Sequence, residues 1–183
     1  MAECRDDARP ALLAAVACLP NGAPELLMAG ETAVITSSVP FTVESSPDKP
    51  FSVTQFLQSN EQLSDSQPGD PAMIVVPSLG QFQQRYLFAV PAGYAQSFVT
   101  IVTRGEGEVR LDDEVIPADD FVDVGVARGQ VHRFVSQPLS DGAHQVEAET
   151  PVGITVVGFD QAVSYGYPGG AGLRVIAVPP TAG

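Results

Sequence analysis

The stretch PVGITVVGF, residues 151–159, is the strongest strand signal in the chain. Val152, Ile154, Thr155, Val156 and Val157 are β-branched, the side-chain type that packs best on a pleated surface. Pro151 opens the run, where a missing N–H costs least. A segment of this kind needs partners, and its neighbours supply them. Upstream, QVHRFVSQP (130–138) reads as a strand and SDG (140–142) as a turn. AHQVEAE (143–149) then alternates Ala143, Gln145 and Glu147 against His144, Val146 and Ala148. Downstream, VSYGYPGG (163–170) places Tyr165 and Tyr167 on one strand face, and Pro168-Gly169-Gly170 ends the strand in a turn.

The same texture extends backward. SFVTIVTRG (97–105) and RYLFAVP (85–91) read as strands, and AMIVVP (72–77) as a short buried one. GEVRLDDEVIP (107–117) predicts a small hairpin with Asp112-Asp113 at its tip. SLGQFQQ (78–84) predicts a turn, SNEQLSDSQPGDP (59–71) a polar loop, and PFSVTQFLQS (50–59) an alternating strand. TAVITSS (32–38) is β-branched-rich, and GLRVIAVPP (172–180) closes the chain as a last strand. Helical periodicity is nearly absent after residue 30. The expected fold is all-β, a sandwich-like module in which alternating strands bury one face each. FTVESSPDKPFSVTQF (41–56) and HQVEAETPVGITVVGF (144–159) share an order of Val-Glu, turn, Pro and alternating strand ending in Phe, which predicts two related β-units.

Composition narrows the function. The chain has 183 residues and a net charge of −13, from 22 acidic and 9 basic side chains, with Lys49 as the one lysine. Such a field repels phosphate backbones and anionic lipid, which argues against nucleic acid and membrane surfaces as partners. No stretch approaches the roughly 20 apolar residues of a membrane helix. ALLAAVACLP (11–20) has the look of a short signal core, but the preceding MAECRDDARP lacks the positive n-region a signal needs. Residues 1–25 are therefore expected to form a short strand or helix near a truncated start. Cys4 and Cys18 are the only cysteines; a bridge would contribute about 3 kcal/mol in the chain-entropy account, and free thiols are the alternative.

Catalytic signatures are sparse. His132 and His144 lie in neighbouring predicted strands and could face each other, but a metal site needs three or four ligands. Asp119, Asp120 and Asp123 form a weak calcium candidate without the D-x-[DN]-x-[DN]-G pattern; a solvated acidic loop is the default. No serine lies in G-x-S-x-G or S-x-x-K. Paired acids of a glycan hydrolase would be sought first at Glu114, Asp119 and Asp120. GGAG (169–172) lacks the G-K-[ST] of a phosphate loop. No cofactor is expected.

Several ordered segments carry a resemblance. GDPAMIVVPSLGQFQQRYLFAVPAGYAQSFVTIV (69–102), VRLDDEVI (109–116), SDGAHQVEAETPVGITVVGF (140–159) and SYGYPGGAGL (164–173) resemble the immunoglobulin-G Fc-binding protein amino-terminal domain family. The marks are Gly69-Asp70-Pro71-Ala72-Met73, Gln81-Phe82 with Tyr86, and the block Tyr165–Gly170. ITSSVPFTVESSPDKPFSVTQFLQS (35–59) matches the preceding segment. The resemblance covers about residues 26–178, with 179–183 as a tail. At the hairpin tip Asp112-Asp113 stands where Asp-Gly is usual.

The resemblance implies an extracellular or cell-surface β module that binds or adheres without catalysis. Its partner would be a protein or glycoprotein. Tyr165, Tyr167, Gly169 and Gly170 are the expected binding residues. The alternatives are a structural spacer, which would show no clustered exposed aromatics, and the glycan hydrolase.

Overall fold

A computed structural model describes residues 28–37, 39–45, 50–59, 68–127 and 129–172. The amino-terminal segment 1–25, Cys4 and Cys18, the closing strand beyond Gly172 and the 179–183 tail lie outside the described residues. Two compact units lie along the chain, Met1–Phe41 and Thr42–Gly183. In the first, the Met28 N–H donates to Glu31 Oε2 at 2.9 Å, and the Glu31 N–H returns to the Met28 carbonyl at 3.1 Å. Of the β-branched run there, residues 32–37 hold only an isolated bridge at Thr36.

The second unit is all-β, and no α-helix occurs among the described residues. Its strands are β1 (Val53–Phe56), β2 (Met73–Val76), β3 (Gln83–Val90), β4 (Gln96–Arg104), β5 (Val109–Leu111), β6 (Glu114–Val115), β7 (Val122–Ala127), β8 (Gln130–Pro138), β9 (Gly142–Asp160) and β10 (Val163–Pro168). Single 3-10 turns at Leu79–Gln81 and Ala118–Asp120 separate some of them. Every pairing is antiparallel.

Strand β9 organises the unit. Its first half lies between β3 and β5, with β6 beyond β5. Its second half lies between β10 and β4, followed by β8 and β7. One strand thus serves two sheets, and the change falls at Pro151. Pairing with β3 skips from Glu147 to Val152, and pairing with β4 begins only at Gly153. Pro151 therefore stands where the ladder asks for no N–H. The bend frees other polar groups, and local side chains satisfy them. Gln84 Nε2 donates to the Glu149 carbonyl at 2.6 Å, and the Tyr86 hydroxyl donates to the Val152 carbonyl at 2.7 Å while accepting the Gln83 N–H at 3.0 Å. Burial raises the Tyr86 pKa, against the lowering pull of the Gln83 N–H, so the hydroxyl keeps its proton for Val152. The ring of Phe82 covers Gly153, whose Cβ would otherwise meet it at 2.2 Å.

The core fills the space between the two sheets. Tyr86, Phe88, Val90, Val109 and Val146 meet Val99, Ile101, Val135, Ile154 and Val156. These come from alternate positions of their strands, as sheet-on-sheet packing requires.

Some expectations need correction. AHQVEAE and PVGITVVGF are not two strands around a turn; they are one 19-residue strand, because the bend is absorbed by a shift in the β3 register instead of a reversal. The earlier half of the supposed duplication has a different local structure: residues 41–45 form no strand, and only Val53–Phe56 pair. The expected strand at 50–59 is thus four residues long. In AMIVVP only Ile74 is buried. The acidic loop gives way at Val122 to β7, a strand masked in the sequence by Asp123 and Gly125.

Candidate functional site

The block at 163–170 forms β10, the edge strand beside the second half of β9. Tyr165 and Tyr167 share its inner face, half-buried against the core. The Tyr165 hydroxyl donates to Ser97 Oγ at 3.0 Å, and the Tyr167 hydroxyl donates to the Ala89 carbonyl of β3. The two rings stack with centroids 6.1 Å apart, and Tyr94 meets Tyr165 edge-on at 4.6 Å. Burial is the chief cause that raises both pKa values, so both remain neutral donors. Tyr167 joins β10 to β3, and so ties together the strands that flank the two halves of β9.

The outer face of β10 does something else. Gly166 points away from the core, and Ile74 of β2 lies on it; a Cβ there would come within 2.4 Å of Ile74 Cδ1. Ile74 is 1% exposed. The Gly69 N–H donates to the Asp160 carbonyl at 2.9 Å, and the Asp70 N–H to Ser164 Oγ at 2.8 Å. The β1–β2 ribbon is thus fastened over β10 and β9. Gly169 and Gly170 follow the same logic: a Cβ on Gly169 would stand 2.2 Å from Ile154 Cδ1, and Gly170 has φ 146° beside Tyr86.

Among the described residues the ribbon's other face is left open. Its register sets Phe56 opposite Met73 and Thr54 opposite Val75, all on the side away from Ile74. Phe56, Met73 and Val75 are 68%, 62% and 54% exposed. Adjacent exposed side chains of this size are uncommon unless a partner covers them. The sequence predicts β2 as a short buried strand, whereas the structure buries only Ile74 of it. The face that stays open is not legible there, because that depends on β10 lying beneath.

The histidines do not face each other, since β4 lies between β8 and β9. Buried His132 turns Nδ1 to the Gln130 carbonyl at 3.0 Å, and its Nε2 has no hydrogen-bond partner among the described residues. His144 is bound on both sides: Nδ1 meets Asp112 Oδ2 at 2.6 Å and Nε2 meets the Ser140 carbonyl at 2.8 Å. Asp112 also accepts the Gln145 N–H at 2.8 Å through Oδ1. Burial opposes the charge on each group, but the hydrogen bonds and mutual attraction outweigh it. The His144 pKa is raised and that of Asp112 lowered.

Asp119 and Asp120 are exposed in the 3-10 turn and Glu114 on β6, whereas Asp123 pairs with Arg133 Nε at 3.1 Å. Arg133 also donates to the Ala118 and Phe121 carbonyls at 2.9 and 3.0 Å, stitching the acidic turn to β8. Among the described residues no three His, Cys, Asp or Glu side chains converge as metal ligands would. No described helix is long and apolar enough to cross a membrane.

The fold and this surface define an all-β domain with an exposed apolar ribbon. More particularly, a family model described as IgGFc binding protein matches residues 14–158, and the chain belongs to that family. The match ends at Gly158, so the Tyr165–Gly170 block lies beyond it. No curated protein and no solved structure matches the chain.

Proposed function

We propose that the chain is a non-catalytic binding module of an extracellular or cell-surface protein, and that it contacts a protein or glycoprotein partner through the outer face of the β1–β2 ribbon. The observation that carries this is the paired exposure of Phe56 and Met73 beside Val75 on a ribbon fastened from behind by Ile74. Membership of a family described by binding supports a contact role, and the clustered exposed side chains favour it over a spacer. Tyr165, Tyr167, Gly169 and Gly170 contribute as the mount: the tyrosines anchor β10 to the core, Gly169 makes room for Ile154, and Gly170 turns the chain beside Tyr86. An apolar contact face on a chain of net charge −13 fits a partner with an apolar patch and a basic rim.

The family's description makes an immunoglobulin Fc fragment the first probe, followed by a panel of extracellular glycoproteins. Phe56→Ser with Met73→Ser should weaken capture at least about tenfold, the equivalent of about 1.4 kcal/mol, while thermal unfolding stays cooperative. Capture that survives both substitutions removes the ribbon face from the reading, and a domain that captures none of the probes removes the reading itself.

A further inference from the structure

The surroundings of His144 dictate its protonation by geometry. One ring nitrogen faces a carboxylate and the other a backbone carbonyl, at 2.6 and 2.8 Å. Neither neighbour can donate a hydrogen bond, so both ring nitrogens must. Only the imidazolium form has two N–H groups. The ring is buried against Phe88, at 5.8 Å between centroids, so water is poorly placed to substitute for either acceptor.

The two acceptors belong to different parts of the unit. Asp112 sits at the β5–β6 tip, in a left-handed conformation with φ 51°. Ser140 sits in the connection between β8 and β9. A groove of about 370 Å³ separates them, lined by Leu111, Glu114, Gln137 and Leu139 as well as by these residues. The charged group against the ring is Asp112, and Glu114 of the same hairpin lines the groove, while the hairpin's cation, Arg110, donates to the Asp113 carbonyl at the tip. The β8–β9 connection supplies Asp141, whose carboxylate faces the Gly93 N–H. Among the groove-lining residues of β8, Gln137 and Pro138 carry no charge, nor does Phe88 of β3.

We propose that His144 is a proton-operated clamp that holds the β5–β6 tip against the β8–β9 connection and opens the groove between them when it loses its proton. Neutral imidazole has one N–H. It must leave a lone pair facing either the Asp112 carboxylate or the Ser140 carbonyl, and that repulsion releases one side. On the hairpin side Asp112 keeps its own N–H on the Gln145 carbonyl at 2.9 Å, so what is free to move is its carboxylate with the β6 arm beyond it, a two-residue strand paired only with β5 among the described residues. The proton goes to solvent; nothing else is exchanged.

With only two histidines in the chain, the imidazole nitrogen spectrum is directly readable. In the intact chain, both His144 nitrogens should carry protons at pH 6, and its titration midpoint should lie above the ordinary value of about 6.5. As pH passes that midpoint, amide exchange at Gln145 should accelerate severalfold relative to Val99 in β4. In Asp112→Asn the midpoint should fall toward the ordinary value, and the selective acceleration should disappear. A neutral His144 ring at pH 6 overturns the clamp. So does a wild-type titration that leaves the exchange ratio unchanged.

Discussion

Tyr165 and Gly158 stand directly opposite each other in β10 and β9, and the tyrosine ring occupies the place of a glycine side chain: a Cβ on Gly158 would lie 2.0 Å from Cε1. The ring is not free to withdraw, because its hydroxyl is bonded to Ser97 and its faces meet Tyr94 and Tyr167. Gly158→Ala should therefore destabilise the unit by about 1–3 kcal/mol, the usual cost of overpacking. Chemical denaturation measures this. An unchanged midpoint would mean that the tyrosine stack can shift at no cost.

Ile74 is the ribbon's only fully buried side chain, so the fastening of β1–β2 rests on it. Ile74→Ala in a packed site costs about 2–5 kcal/mol. Here the loss should appear mainly as local opening. Exchange at β1 and β2 amides should rise strongly, while β4 and the centre of β9 stay protected. Equal loosening of β4 would show that the ribbon is part of the global folding unit.

Tyr86 is 3% exposed and closes two backbone groups left by the bend in β9. Tyr86→Phe keeps the ring and removes the hydroxyl, leaving the Val152 carbonyl and the Gln83 N–H without that partner. The expected loss is about 1–3 kcal/mol. Val152→Ala offers a comparison, because it removes core volume but keeps the carbonyl. If Tyr86→Phe is neutral, water has replaced the hydroxyl.

Legibility in the sequence followed the range of the interaction. Strands β3, β4, β8 and β10 and the β5–β6 hairpin are written in local alternation and turn chemistry, and the structure places them where that pattern does. The continuity of β9 across Pro151 is not local. It depends on a register shift against Gln83 and Arg85, which are distant in sequence. The glycines could be read as turn formers, and Gly170 with φ 146° fits. Gly158, Gly166 and Gly169 instead make room for Tyr165, Ile74 and Ile154, which only the assembled sheets reveal. The open face of the ribbon was hidden for the same reason. The pairing of His144 with Asp112 joins residues that alternation alone could not bring together.

The two aspartates at the hairpin tip should respond in opposite ways to the same substitution. Asp112 and Asp113 have φ of 51° and 68°, a region that costs an L-residue energy and suits glycine. The hydrogen bond that Asp113 accepts comes from Arg110 to its backbone carbonyl, so Asp113→Gly keeps it and relieves the strain. A gain of up to about 0.5–1 kcal/mol is expected, reduced by the entropy of glycine in the unfolded chain. Asp112→Gly gains the same relief but loses the carboxylate that holds Gln145 and His144, and should be destabilising. Two stabilised variants would mean that the carboxylate contacts contribute nothing.

The His144–Asp112 pair also sets a pH window for stability. The folded His144 pKa is raised, so its contribution is complete below the unfolded value of about 6.5 and is lost as pH rises through the folded value. The folded Asp112 pKa is lowered, so its contribution is present above the unfolded value of about 4 and is lost as pH falls through the folded value. Together they are strongest from about pH 4 to 6.5. His144→Gln keeps a donor but cannot titrate. The stability difference between wild type and His144→Gln, taken from urea midpoints, should be largest in that window and shrink on both sides. Because the Asp112 carboxylate is 46% exposed, solvent screening keeps the effect modest. A difference that stays flat from about pH 4 to 9 would show that the ring contributes by shape alone.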